Sequence, residues 1–171
     1  NMIAVVLSTA AQFYNPKKIP KTVDFLSKVI QDNPEYQFRL KLHPSGMEKK
    51  EWYRKLEKLD NFAITKIKNA HSLLQKSKYL IVEGSTLAGE APMFGTDVIV
   101  LTINPQSLSS YYVHPLSFKV NKIEDINKIL QENLTRIEEY KDDFIKDYLY
   151  KLDGKTHIRI NNVLNEILEK S

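Results

Sequence analysis

Gly84, Ser85 and Thr86 place a small residue and two hydroxyl groups directly after an apolar run, which predicts a strand, a tight turn and a helix. Amides in the first turn of a helix lack intrahelical partners, and the helix dipole adds partial positive charge there. The N–H groups of residues 85–88, including that of Leu87, and the two hydroxyls are therefore candidates for binding a phosphate or diphosphate. Gly84 would let this ligand approach closely. The alternative is that Ser85 or Thr86 only caps the helix.

Glu90 lies four residues beyond Thr86, inside the predicted helix and within one turn of its start. A carboxylate at this place can accept hydrogen bonds from a ribose diol, as acidic residues do in other nucleotide sites. The alternative is a surface acid that the helix dipole stabilises. Glu90 is therefore a candidate for contacting the sugar of a nucleotide.

His43 is the candidate catalytic residue. It ends a predicted strand and precedes Pro44, whose ring holds the preceding residue in an extended conformation. An imidazole placed there can donate a hydrogen bond to a phosphate or stabilise a departing diphosphate; the alternative is a structural histidine. Lys41 lies on the same predicted strand and adds positive charge near the site, unless it simply faces solvent.

Apolar runs and amphipathic segments alternate along the chain, which predicts strands covered on both faces with helices between them. Pro92 should end or kink the helix that contains it. The order predicts an α/β fold: a three-layer, Rossmann-like parallel sheet of five to six strands flanked by helices, with a helical C-terminal segment. The predicted strands span residues 2–8, 38–42, 62–65, 79–82, 98–102 and 118–120, and the predicted helices residues 22–33, 47–59, 69–77, 86–94, 123–149 in one or two pieces, and 156–170.

This fold would bring the candidate residues together. Open parallel sheets bind ligands at the carboxyl ends of their strands, near the point where the strand order reverses. Ser8, His43 and residues 83–86 all follow predicted strands. We therefore expect them at one edge of the sheet, with Ser8 as a further nucleotide-binding candidate.

The composition limits the classes of function. The length of 171 residues suits one domain over residues 2–171, and Asn1 before Met2 is interpreted as a vector remnant. The 25 basic residues are interleaved with 21 acidic ones, so we expect no nucleic-acid partner. No apolar run approaches the roughly 18 residues that a membrane span needs. The lack of cysteine excludes thiolate metal sites, and the histidines show no metal-ligand spacing, so no metal site is predicted.

Three segments resemble the C-terminal, donor-binding half of a GT-B glycosyltransferase of the capsule and teichoic-acid polymer type, a group that includes CDP-glycerol glycerophosphotransferases and polysialyltransferases. Residues 40–44 (LKLHP) resemble the His-Pro motif that ends a strand in these enzymes. Residues 77–86 (SKYLIVEGST) resemble their acid-x-Ser-Ser segment, with Glu83 in the place of the acid. Residues 153–160 (DGKTHIRI) are similar to the segment that opens their last helix.

The chain also resembles the non-hydrolysing UDP-GlcNAc 2-epimerases. Residues 90–101 (EAPMFGTDVIVL) look like their Glu-Ala-Pro, glycine and strand segment, whose acid belongs to the nucleotide-sugar site. Gly84, Ser85 and Thr86 replace the Ser-Gly-Gly turn of these enzymes, and Gly89 stands where they have another glutamate. These departures favour the transferases.

The resemblance implies that the chain binds a nucleotide-activated donor, either a nucleotide-sugar or a CDP-glycerol-like molecule. It implies contacts to the pyrophosphate from Ser85, Thr86 and His43, a ribose contact from Glu90, and a base that rests against residues 67–70. The donor is a substrate, so no cofactor is implied.

The implied reaction is glycosyl or glycerophosphate transfer in bacterial cell-surface polysaccharide biosynthesis. The acceptor would bind to an N-terminal GT-B domain, without which this domain is expected to be inactive. The implied location is cytoplasmic, with association to the inner face of the membrane through the rest of the protein. The alternatives are a UDP-GlcNAc 2-epimerase-like enzyme and a non-catalytic, degenerate GT-B docking domain.

Overall fold

The computed structural model describes residues 1–7, 16–44, 48–103 and 114–169. It contains one six-stranded parallel sheet with helices on both faces, which confirms the Rossmann-like α/β fold predicted from the sequence. The strands are β1 (Met2–Val6), β2 (Gln37–Leu40), β3 (Phe62–Ile64), β4 (Tyr79–Val82), β5 (Asp97–Leu101) and β6 (Ser117–Val120). The helices are α1 (Ile19–Asp32), α2 (Ala70–Leu74), α3 (Ile123–Gln131), α4 (Ile137–Phe144), which continues as a π-helix over Ile145–Leu149, and α5 (Thr156–Glu169).

Apolar side chains on the two faces of the sheet form two separate hydrophobic cores. Ile3 and Val5 of β1 belong to one core, with α1 and α3, whereas Ala4 and Val6 belong to the other, with α2 and α4. Every residue of β4 and β5 is buried. Burial on both faces explains why these strands, apart from Asp97, are apolar throughout instead of alternating with polar residues.

The order of the strands places an opening at one edge of the sheet. The order is β3-β2-β1-β4-β5-β6, so the chain moves outward from β1 to β3 and then returns to β4 on the other side of β1. The carboxyl ends of β1 and β4 therefore lie at the point where the order reverses, which is where such sheets bind ligands. Lys41 and His43 follow β2 at this edge, and residues 84–86 follow β4.

The prediction of one α-helix over residues 86–94 is wrong, because the helices in this segment are of a different type. The segment forms two short 3₁₀ helices, Thr86–Gly89 and Ala91–Phe94, and Gly95 ends the second in the left-handed conformation with φ of 71°. Pro92 cannot donate a backbone hydrogen bond, and its ring would clash with a carbonyl one turn earlier in an α-helix. The segment is therefore interrupted, in agreement with the expectation that Pro92 would end or kink its helix.

Other predicted helices also differ from those in the structure. The described part of residues 47–59 forms the short 3₁₀ helices Lys50–Tyr53 and Leu56–Lys58 instead of one α-helix. α1 begins at Ile19, earlier than the predicted residue 22. Pro20 fits inside the first turn of α1 because that turn needs no backbone N–H from it.

α5 presents apolar side chains to solvent. Each of its residues is at least partly exposed, and its large apolar side chains are between 46% and 73% exposed. Among the described residues, no helix has the length and hydropathy needed to cross a membrane. The exposed apolar residues of α5 are Ile158, Ile160, Val163, Leu164, Ile167 and Leu168.

Candidate functional site

A cleft of about 290 Å³ lies at the carboxyl ends of β1, β2 and β4. Val6, Lys68 and Ala70 form part of its wall. Gly84 lies in the turn next to the cleft without lining it, and Ser8 falls outside the described residues. The remaining wall includes the other residues that the sequence identified, which come from two separate segments of the chain: Lys41, His43, Ser85, Thr86, Leu87 and Glu90.

In the turn after β4, two backbone amides donate hydrogen bonds to oxygen atoms within the turn. Gly84 has φ of 80°, a left-handed conformation that glycine adopts without steric cost. The N–H of Leu87 donates to Ser85 Oγ (3.3 Å), and the N–H of Ala88 donates to the carbonyl oxygen of Ser85 (3.2 Å). Two of the four amides predicted to face a phosphate therefore already have partners within the turn. The predicted contribution of an α-helix dipole is also wrong, because Thr86–Gly89 is a short 3₁₀ helix.

Two lysine side chains bring positive charge to the cleft, beside the imidazole of His43. Lys41, Lys68 and His43 line the cleft, with Glu90 as the acidic side chain among its lining residues. A concave site lined mainly by one sign of charge raises the local concentration of an oppositely charged ligand. Lys68 was not among the residues predicted from the sequence, although its place after the predicted third strand, at the same edge of the sheet, was a usable signal.

His43 is held by a buried carboxylate, that of Glu48, which was not predicted from the sequence. The backbone N–H of His43 donates to Glu48 Oε2 (2.6 Å), and the Tyr53 hydroxyl donates to Glu48 Oε1 (2.5 Å). Glu48 is only 5% exposed. Its carboxylate therefore joins the end of the β2 segment to the Lys50–Tyr53 helix and fixes the backbone at His43.

Burial of this cluster shifts the acid–base behaviour of both of its ionisable side chains. Burial raises the pKa of the Glu48 carboxyl, while the hydrogen bonds from the Tyr53 hydroxyl and the His43 amide act in the opposite direction. Burial, followed by the nearby Glu48 carboxylate, raises the pKa of the Tyr53 hydroxyl. Tyr53 therefore acts as a hydrogen-bond donor to Glu48 at physiological pH.

Glu90 is paired with a histidine from a neighbouring helix. Glu90 Oε2 lies 2.5 Å from His71 Nε2, and the two residues are 19 positions apart in sequence. His71 lies in α2, at the end of the loop that carries Lys68. His71 was not among the residues predicted to line the site, because nothing in a single sequence indicates that α2 would place it beside Glu90.

Glu83, which occupies the place of the acid in the transferase-like segment, is directed to α1. It is 1% exposed and accepts a hydrogen bond from Thr22 Oγ1 at 3.0 Å. The contact joins the end of β4 to α1 and supports the start of the turn at Gly84. Among the described residues, no group of three histidine, aspartate or glutamate side chains is placed to hold a metal ion.

The comparisons with known proteins agree with this fold. The family model described as "Protein of unknown function (DUF354)" matches residues 13–168. A search of curated proteins found no match. A protein from Listeria monocytogenes that is assigned as a UDP-N-acetylglucosamine 2-epimerase has a similar structure, with a TM-score of 0.65 and 14% identity, over 100% of this chain and 46% of the Listeria chain.

Two glycosyltransferase structures are also similar. The glycotransferase of kitacinnamycin matches with a TM-score of 0.54 and 12% identity, over 82% of this chain and 37% of its own. The catalytic domain of the cholesterol-alpha-glucosyltransferase from Helicobacter pylori matches with a TM-score of 0.52 and 18% identity, over 88% of this chain and 99% of its own. At these identities the likeness establishes a shared fold alone. The chain spans less than half the length of the Listeria protein and of the kitacinnamycin enzyme.

Proposed function

The chain belongs to the DUF354 family of proteins of unknown function, and we propose that it binds the nucleotide-activated donor of a glycosyl or glycerophosphate transfer. One observation carries the proposal: a cleft at the reversal of strand order gathers Lys41, His43, Ser85, Thr86 and Glu90. Those side chains combine positive charge and hydroxyl groups for a diphosphate with a carboxylate for a ribose diol. The fold, which is shared with glycosyltransferases, is compatible with this use.

In this proposal His43 and Lys41 act on the leaving group of the donor. Negative charge develops on the departing nucleotide as its bond to the transferred group breaks. Charged and hydrogen-bonding groups that are already oriented toward that position stabilise the transition state. The contact between Glu48 and the His43 amide keeps this part of the backbone in place before the donor arrives.

The acceptor side of the reaction is assigned to a second domain. The chain covers 46% of the Listeria protein, and α5 carries apolar side chains that are open to solvent. An exposed apolar surface of this kind is typical of a docking surface. In this proposal the apolar surface of α5 contacts an N-terminal domain. That domain would complete the active site and bind the acceptor, a cell-surface polysaccharide.

A purely structural docking role has less support. A degenerate site would be expected to have its rim filled by side chains, whereas the cleft beside Ser85 has a volume of about 290 Å³. An epimerase-like role remains the second candidate, because Glu90 lines the cleft in the segment that resembles the epimerases. Exchange of the C2 proton of UDP-GlcNAc by the complete protein would distinguish epimerisation from transfer.

Thermal unfolding in the presence of UDP, CDP or CMP tests the proposal. A ligand that binds only the folded state stabilises it by about 2.7 kcal/mol at a hundred times its Kd, which raises the Tm. We expect at least one of the three nucleotides to raise the Tm at millimolar concentration. The absence of a shift with all three would overturn the proposal.

A pair of variants makes this experiment specific to the cleft. The double change Ser85→Ala and Thr86→Ala should remove the nucleotide-dependent shift. It should also lower the Tm of the free protein, because the hydroxyl of Ser85 caps the N–H of Leu87 and the loss of such a cap costs about 0.5–2 kcal/mol, so each shift is measured against the ligand-free Tm of the same variant. Thr156→Ala removes an exposed hydroxyl from α5, outside the cleft, and should leave the shift intact. Equal loss in both variants would show that the shift does not report on the cleft.

A further inference from the structure

The contact between His71 and Glu90 lies beside the cleft and restrains one oxygen of the Glu90 carboxylate. His71 Nε2 is 2.5 Å from Glu90 Oε2, and Glu90 is one of the residues that line the cleft. The side chains are 51% and 39% exposed, respectively, so a ligand in the cleft can reach the pair. A free glutamate side chain of this exposure would sample several rotamers.

The histidine is itself held from two directions. Its backbone N–H donates to Asn69 Oδ1 (2.8 Å), which caps the start of α2. Its ring lies against the ring of Phe94, with 5.0 Å between the ring centres and an angle of 32° between their planes. Phe94 belongs to the short helix that follows Glu90, so His71 is fixed both by its own helix and by the segment that carries its partner.

We propose that His71 is a positioning residue that orients Glu90 to recognise the ribose of a bound nucleotide. The inference rests on the proposed function, since it requires a nucleotide in the cleft. His71 Nε2–H donates to Glu90 Oε2, which leaves Oε1 and the remaining lone pair of Oε2 to accept hydrogen bonds from a ligand. A ribose diol offers two adjacent O–H donors that match this arrangement, whereas a 2′-deoxyribose offers one. The pair therefore selects ribonucleotides over 2′-deoxyribonucleotides.

The decisive measurement is the ratio of affinities for matched ribo- and deoxyribonucleotides. Calorimetric titration with CDP and 2′-deoxy-CDP, and with UDP and 2′-deoxy-UDP, gives this ratio for each variant. For the unmodified protein we expect a preference for the ribonucleotide of about tenfold, as is typical when one hydrogen bond to a charged acceptor is lost. His71→Ala should reduce the preference to within about twofold.

Three further variants separate orientation from simple support of the fold. His71→Gln keeps a side-chain N–H that can donate to Glu90 and should restore most of the preference. Glu90→Gln should remove the preference for the ribonucleotide. The double variant His71→Ala, Glu90→Gln should show the same preference as Glu90→Gln alone, because the two residues act through one carboxylate. His157→Ala, which changes an exposed histidine of α5, is the matched control and should retain the full preference.

The outcomes distinguish this inference from the proposed function. If His71→Ala and the unmodified protein bind nucleotides with the same preference for ribose, the positioning role is overturned while nucleotide binding stands. If the unmodified protein binds neither member of either pair, nucleotide binding and the role of His71 are both overturned. Thermal unfolding of each variant without ligand shows whether the fold is intact. If His71→Ala does not fold, His71→Leu supplies the test, because leucine can pack against Phe94 but has no N–H to donate to Glu90 and should likewise lose the preference.

Discussion

The backbone N–H of His43 donates a 2.6 Å hydrogen bond to the carboxylate of Glu48, a side chain that is almost fully buried. Placing a carboxylate in such a position is costly unless hydrogen bonds compensate for the lost solvation. Here the compensation comes from the His43 amide and from the hydroxyl of Tyr53. The conformation of the segment that presents His43 to the cleft therefore depends on an acid that does not itself line the cleft.

We expect Glu48→Ala to destabilise the protein and to weaken nucleotide binding. The change leaves the buried hydroxyl of Tyr53 and the partly buried amide of His43 without this acceptor, and each such loss costs about 1–3 kcal/mol. Urea unfolding of Glu48→Ala and of the unmodified protein measures the difference. Glu51→Ala, at a neighbouring exposed glutamate, is the control and should change the free energy of unfolding by less than about 0.5 kcal/mol. Equal stability of Glu48→Ala and the unmodified protein would contradict the role assigned to Glu48.

The same side chain should give the protein a pH-dependent stability. Burial raises the pKa of the Glu48 carboxyl above its ordinary value of 4.5. Between that value and the raised pKa, the folded state binds more protons than the unfolded state, so the contribution of Glu48 to stability decreases as pH rises through this window. Glu48→Gln cannot titrate and retains an acceptor for the His43 amide. We therefore expect the unmodified protein to lose stability relative to Glu48→Gln as pH rises above the ordinary pKa of 4.5 in urea unfolding experiments, and parallel pH curves would contradict this.

The strands, and the edge of the sheet at which the residues of the cleft meet, could largely be predicted from the sequence. A strand that is covered on both faces must be apolar along its whole length, and β4 and β5 carry that signal almost without interruption. The alternation with helices then predicts a parallel sheet, whose carboxyl ends bring Lys41, His43 and residues 84–86 to one edge. This is why residues more than 40 positions apart were expected to line one site.

The two 3₁₀ helices of residues 86–94 could not be predicted from the sequence in the same way. The apolar spacing of the segment is compatible with an α-helix, but Pro92 and the short contacts within the turn favour two 3₁₀ helices. The difference matters for function, because it removes the helix dipole from the argument for phosphate binding. The attraction for a phosphate would then come from the hydroxyls of Ser85 and Thr86 and from Lys41 and Lys68.

Glu48 and His71 could not have been found by sequence pattern alone. Glu48 precedes Lys49, Lys50 and Glu51, and such a run of mixed charge normally indicates a solvated surface. Its burial accompanies hydrogen bonds from the Tyr53 hydroxyl and the His43 amide, which are tertiary features without a pattern in the sequence. His71 meets Glu90 only because α2 packs beside the segment that follows β4, which is a tertiary contact with no local signal.

Lys41 should contribute to nucleotide binding mainly through its charge. If a diphosphate occupies the cleft, Lys41→Ala should weaken binding of UDP or CDP roughly three- to tenfold, since an incompletely buried ion pair contributes about 1 kcal/mol. The difference should shrink as the salt concentration is raised from 0.05 to about 0.5 M, because added ions screen exposed charges. Lys58→Ala, an exposed lysine outside the cleft, is the matched control. A salt-independent loss would indicate that Lys41 acts through packing instead of charge.

The apolar side chains of α5 should be almost dispensable for the stability of this chain. Leu164 is 53% exposed, so Leu164→Gln, which retains a good helix former, should change the free energy of unfolding by less than about 0.5 kcal/mol. Leu80→Ala, by contrast, empties a fully buried position in β4 and should cost about 2–5 kcal/mol. Urea unfolding compares the two variants under identical conditions. A loss above about 1 kcal/mol for Leu164→Gln would mean that α5 already packs against this domain in solution, and the docking surface assigned to an N-terminal domain would then have to lie elsewhere.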